Sequence, residues 1–187
     1  MKVILQDVRL AFPTIWKPEQ FNGTGDPKFN CAFLFPPDHP ARKLLSDAIR
    51  AVAAEKWKDD APGYLKALAA DNKLCLVNGD RKAEYDGYPG NYYCNASNKA
   101  RPSIKNRDKT PLVEADGKPY GGCYVNGIVE VWAQANAFGK RVNASLMGIQ
   151  FVRDGDAFSG SGVAQEDDFE QLEVGAKAGG MDDDIDF

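Results

Sequence analysis

Between residues 81 and 109 the chain reads RKAEYDGYPGNYYCNASNKARPSIKNRDK. Tyr85, Tyr88, Tyr92 and Tyr93 stand there among Arg81, Lys82, Lys99, Arg101, Lys105, Arg107 and Lys109, against three acids. These residue types suit a ligand with flat faces and a charged backbone. Unpaired bases stack on aromatic rings, each for about 1–3 kcal/mol, while Lys and Arg follow the phosphates. Because every base has a π-face, such a surface binds single strands without sequence preference. Trp132, together with Lys140 and Arg141 in NAFGKR, repeats the pairing further along. The competing reading puts two of the tyrosines, and Trp132 as well, in the core and leaves the cations as a solvated rim. In NYYCNAS, strand alternation sends Tyr92 and Tyr93 to opposite faces, so one of the two belongs inside.

Other chemistry finds little support. There is no GxxxxGK[ST] run, and the glycine-rich NGTGDPK does not lead from a strand into a helix. The single histidine, His39, stands beside a helix start, where a capping or exposed role is expected. Cys31, Cys75, Cys94 and Cys123 are far apart without a CxxC pair. That pattern reads as buried thiols in a reducing cytoplasm, not as a disulfide frame or zinc site. Asp80, Glu84, Asp86, Glu114, Asp116 and Glu130 could in principle serve a nuclease-type metal site, yet most flank turn glycines, where Asp is ordinary. No catalytic residue, metal or cofactor is therefore expected.

The net charge of −4 averages two unlike parts. Residues 165–187 hold nine acids against Lys177, a charge of −8, which leaves +4 on residues 1–164. A basic body on an acidic tail points to a polyanion ligand and an internal competitor for it; the plainer reading is a tail that aids solubility. No run reaches the roughly 20 apolar residues of a membrane span, and MKVILQDVRL lacks the pattern of a signal peptide.

The elements that must carry these residues are mostly strands. KVILQDVRLAF reads as one, stopped by Pro13, and FNCAFLF as a second, ending at Pro36-Pro37, with loop between them. After Asp38 as cap and Pro40 in the first turn, Ala41, Leu44, Leu45, Ala48, Ile49 and Val52 recur at helical spacing. A shorter helix, PGYLKALAA, follows. CYVNGIVEVWAQANA and RVNASLMGIQFV read as an antiparallel pair, with Val125, Val129, Val131 and Ala133 on one face and Tyr124, Ile128 and Trp132 on the other. The fold class is mainly β with inserted helices: an OB-fold-like barrel over 1–158 with a helical insertion at about 38–71. FSGSGVAQ then opens a flexible linker and disordered acidic tail over 159–187.

The segments VRLAFP, YPGNYYCNASNKARPSI, PYGGCYVNGIVEVWA and GIQFVRDGDAF, with the acidic tip Asp182, Asp183, Asp184, Ile185, Asp186 and Phe187, resemble the phage-encoded single-stranded DNA-binding proteins. Bacterial relatives carry Pro before the final Phe, where this chain has Asp186. The resemblance implies an OB-type fold and non-catalytic coating of single strands in phage replication, recombination or repair, in the host cytoplasm. It also implies a tail that docks replication or recombination proteins. The sequence leaves the oligomeric state open, with a homodimer among the options, and no membrane partner is expected. A metal-dependent nuclease and a phage structural or assembly protein are the alternatives.

Overall fold

The computed structural model describes residues 1–21 and 23–158; the tail positions named above lie outside them. Seven strands, β1 (Lys2–Phe21), β2 (Thr24–Phe35), β3 (Leu76–Asn78), β4 (Tyr92–Asn98), β5 (Ser103–Lys105), β6 (Tyr124–Asn136) and β7 (Gly139–Arg153), form one sheet in the order β3-β4-β2-β1-β6-β7-β5. Only β5 runs parallel to its neighbour, β7. Two helices, α1 (Pro40–Trp57) and α2 (Ala61–Ala70), interrupt the strands.

The sheet curls until β4 approaches β7, and short contacts tie that gap. Val142 N–H donates to the Lys73 carbonyl at 3.0 Å, Leu74 and Val142 form an isolated bridge, and Asn98 Nδ2 donates to the Leu146 carbonyl at 3.0 Å. The mainly β architecture is the expected one, although the strand ladder stays open where a full barrel would close.

Alternation sets the two faces of the sheet. Val125, Val129 and Val131 of β6 and Val142, Ala144 and Leu146 of β7 are buried on the inner side, where Leu45, Ala48, Ile49 and Val52 of α1 also pack. Gly127 leaves room for Phe33: a Cβ there would stand 2.7 Å from that ring. All four cysteines are buried free thiols.

Two local expectations are corrected. The N-cap of α1 is His39, not Asp38: its Nδ1 accepts from Ala41 N–H at 3.1 Å. Pro13 does not stop β1, which runs to Phe21 as one half of a long β1–β2 arm. The ladder shifts register between Ala11 and Thr14 and again between Thr14 and Glu19, so Pro13 and Pro18 fall at irregularities. A bulge leaves a residue unpaired, and there the missing proline N–H costs no ladder bond.

On the outer face a second apolar cluster gathers Ala11, Ala32, Leu34, Val77, Tyr88 and Tyr93, with Phe158 packed against it. The loop 79–91 covers it. Gly79 N–H donates to the Asn91 carbonyl at 2.7 Å, and Gly90 N–H donates to Asp80 Oδ1 at 2.7 Å. A side chain at position 79 would not fit, since its Cβ would lie 2.1 Å from the Tyr88 carbonyl oxygen.

Candidate nucleic-acid interface

The rest of the outer face is an open groove of about 1090 Å³, lined by residues of β1, β2, β4, β6 and β7, the β1–β2 arm and the loop 79–91. Three exposed aromatic rings border it. Trp132 is 41% exposed, with its Nε1–H held by Ser145 Oγ at 3.0 Å. Phe12 and Tyr85, 52% and 42% exposed, form an edge-to-face pair whose centroids lie 5.1 Å apart. Phe12 has φ +45, a left-handed conformation that is an outlier for a bulky residue and more so before a proline. Such strain costs on the order of 1–3 kcal/mol and concentrates at functional sites.

Lys28, Lys73, Lys82, Lys99 and Arg141 line the same groove against Glu19 and Asp26. Asp26 on the arm pairs with Lys99, whose hydrogen bond holds the carboxyl below the usual range. Lys73 pairs with Asp71 at 3.2 Å. The Lys82 ammonium sits 5.2 Å from the Tyr93 ring and 5.7 Å from that of Tyr88.

The structure thus divides the residues singled out by sequence. Lys82, Tyr85, Lys99, Trp132 and Arg141 meet at the groove. Tyr88 and Tyr93 do not offer a face to a base. Tyr88 is 1% exposed, and burial raises the pKa of both phenols. Their centroids are 5.0 Å apart in the second core cluster, which needs their bulk to fill the space under loop 79–91. Tyr92 points the other way along β4 and lies under the Arg42 guanidinium at 4.4 Å, beside α1. Lys140, one residue out of phase with Arg141, sits 4.3 Å over Tyr64 on the helical side. Arg81 ties its loop to Asn72 and the Ala70 carbonyl. Arg101 lies 5.8 Å from the Trp16 ring, while Lys105 on β5 and Arg107 just after it are also outside the groove lining.

Sequence reasoning missed Phe12, Lys28 and Lys73. Phe12 could have been found, because an aromatic before proline ends VRLAFP. Lys28 and Lys73 carry no local signal; the curl of the sheet brings them in. Phe138, 90% exposed at the tip of the β6–β7 hairpin, stands outside the groove lining. Among the described residues no three His, Cys, Asp or Glu side chains gather as a metal site requires, and no helix is long and apolar enough to cross a membrane.

Known proteins resemble this chain in sequence and in fold. The family described as Enterobacter phage Enc34, ssDNA-binding protein, matches residues 1–181. Protein p50 of Acyrthosiphon pisum secondary endosymbiont phage 1 is 47% identical over 180 residues, spanning 93% of this chain and 95% of that protein. The single-stranded DNA-binding protein from bacteriophage Enc34, solved in complex with ssDNA, superposes with a TM-score of 0.72 at 24% identity over 83% of this chain and 88% of that one. The gp2.5 single-stranded DNA-binding protein encoded by bacteriophage T7 superposes with a TM-score of 0.58 at 12% identity, over 88% of this chain and 97% of that one.

Proposed function

Because the chain belongs to the family of the Enterobacter phage Enc34 ssDNA-binding protein, we propose that it coats single-stranded DNA through the outer groove during phage replication, recombination or repair. The observation that carries this reading is the shared lining of one groove by exposed rings and cations: Trp132, Phe12 and Tyr85 with Lys28, Lys82, Lys99 and Arg141. Rings take base faces, and the cations take phosphates and release counterions as they do so. The chemistry needs no bond made or broken, so the protein acts as a binding module and not as an enzyme.

The acidic segment 165–187 serves as an internal competitor in this reading. Its carboxylates resemble phosphates in charge, and a long polyanion that also stacks displaces them. Phe158 supports this role: it packs on the Tyr88–Tyr93 cluster, its N–H donates to the Gly121 carbonyl at 3.2 Å, and Arg9 lies 4.3 Å over its ring. Phe158 itself thus stands against the Tyr88–Tyr93 cluster on the outer face. Once displaced, the tip Asp182–Asp183–Asp184–Ile185–Asp186–Phe187 is free to recruit a replication or recombination protein.

A gel shift with oligo-dT, with and without Mg²⁺, tests the reading. A shift without cleavage is expected. Cleavage that needs Mg²⁺ would favour a nuclease, and no shift at all would favour a structural or assembly protein.

A further inference from the structure

The floor of the groove differs from its borders. Thr14 of β1, Asn30 of β2 and Ser97 of β4 are aligned across three neighbouring strands, as the pairs Thr14–Asn30 and Asn30–Ser97. Asn95, two residues before Ser97, faces the same way, and all four line the groove. Strands lie about 4.8 Å apart, so the row spans about 10 Å. No cation belongs to it. Further along, Trp132 and Ser145, and Gln134 and Asn143, bond each other at 3.0 and 3.1 Å. The side chains of Thr14, Asn30, Asn95 and Ser97, by contrast, have no hydrogen-bond partner among the described residues.

We propose that Thr14, Asn30, Asn95 and Ser97 take the Watson–Crick edges of unpaired bases, and that this row is what excludes duplex. The inference rests on the reading of the groove as a single-strand site and adds its selectivity. A primary amide presents a carbonyl acceptor and an NH₂ donor, and a hydroxyl both donates and accepts. By rotating, these groups match any base edge, which keeps binding indifferent to sequence. In a duplex those edges are already paired and turned inward, so the row meets none of them. Rings beside the floor and lysines at its border then fix which side of the strand faces the groove: bases down, phosphates out.

The test uses the full chain, fluorescence anisotropy, and two oligonucleotides of equal length: oligo-dT, and oligo-dT in which every base is N3-methylthymine. The methyl group blocks the Watson–Crick edge but leaves the ring face for stacking. The native chain should bind the methylated strand about tenfold more weakly, which is about 1.4 kcal/mol. The double variant Asn30→Ala/Asn95→Ala should lose most of that discrimination, with an unchanged thermal melt. Equal binding of both strands by the native chain would overturn the proposal, whatever the variant does. So would a folded variant that keeps the native discrimination. Failure to bind unmodified oligo-dT would instead overturn the parent reading, and this one with it.

Discussion

Phe12 and Tyr85 meet edge to face, with ring planes at 81° and centroids 5.1 Å apart, although they stand 73 positions apart in the sequence. The left-handed backbone at Phe12 and the hydrogen-bonded loop around Tyr85 bring the two rings to one border of the groove. If that border stacks on bases, Tyr85→Ala or Phe12→Ala should weaken oligo-dT binding by about 1–3 kcal/mol. Thermal melts should barely change, and for Phe12→Gly they should rise as backbone strain is relieved. Unchanged affinity in both variants would remove this border from the site.

Tyr88 should behave in the opposite way. It is buried, so Tyr88→Ala leaves a cavity costing about 3–5 kcal/mol by analogy with other aromatic truncations. That corresponds to a fall in Tm on the order of 10 °C for a chain of this size. Calorimetry on the variant checks it. A variant that melts normally yet loses DNA binding would return Tyr88 to the list of stacking residues.

The contrast between Tyr85 and Tyr88 shows how far sequence reading reached. Composition identified a basic-aromatic stretch, and periodicity identified α1 and the β6–β7 hairpin, with Trp132 on the face opposite Val129 and Val131 but without saying which face was outside. Neither could sort tyrosines three residues apart on an irregular loop, because no period governs which way a loop side chain points. The loop's fold depends on Gly79, Asp80 and Asn91, whose bonds are visible only in three dimensions. The β1–β2 arm was hidden for a different reason: prolines that normally end strands sit here where the register slips. The amide floor was missed because isolated Asn and Ser in strands carry no signal until β1, β2 and β4 are placed side by side.

Asp26 occupies Lys99, a groove cation, through an exposed ion pair. Asp26→Asn should free that cation for phosphate, raising affinity several-fold at low salt and steepening the log–log salt slope by about 0.7. The Asp26 pKa is lowered by Lys99, so the pair persists through the ordinary carboxylate range near 4 and is lost only as pH falls through the depressed value. The variant's advantage should therefore be full at neutral pH and vanish below that point, where the native carboxyl is itself protonated. Anisotropy titrations at the two pH values measure the difference.

Deleting residues 165–187 removes a charge of −8 and leaves a body of +4. Single-strand affinity should rise several-fold at low salt and converge with the full chain as salt screens charges beyond about 8–10 Å. Equal affinity at every salt concentration would show that the acidic segment is no competitor for the groove.

If one groove holds single strands by stacking and by phosphate contacts together, the most direct measurement is the affinity of the full chain for oligo-dT and for a duplex of equal length, across a salt series. Preference for the single strand should persist at every salt concentration, because base contacts do not depend on counterions. The oligo-dT slope should correspond to several phosphate contacts at about −0.7 each. Equal affinities for the two forms, or binding to oligo-dT that does not weaken with salt, would contradict it.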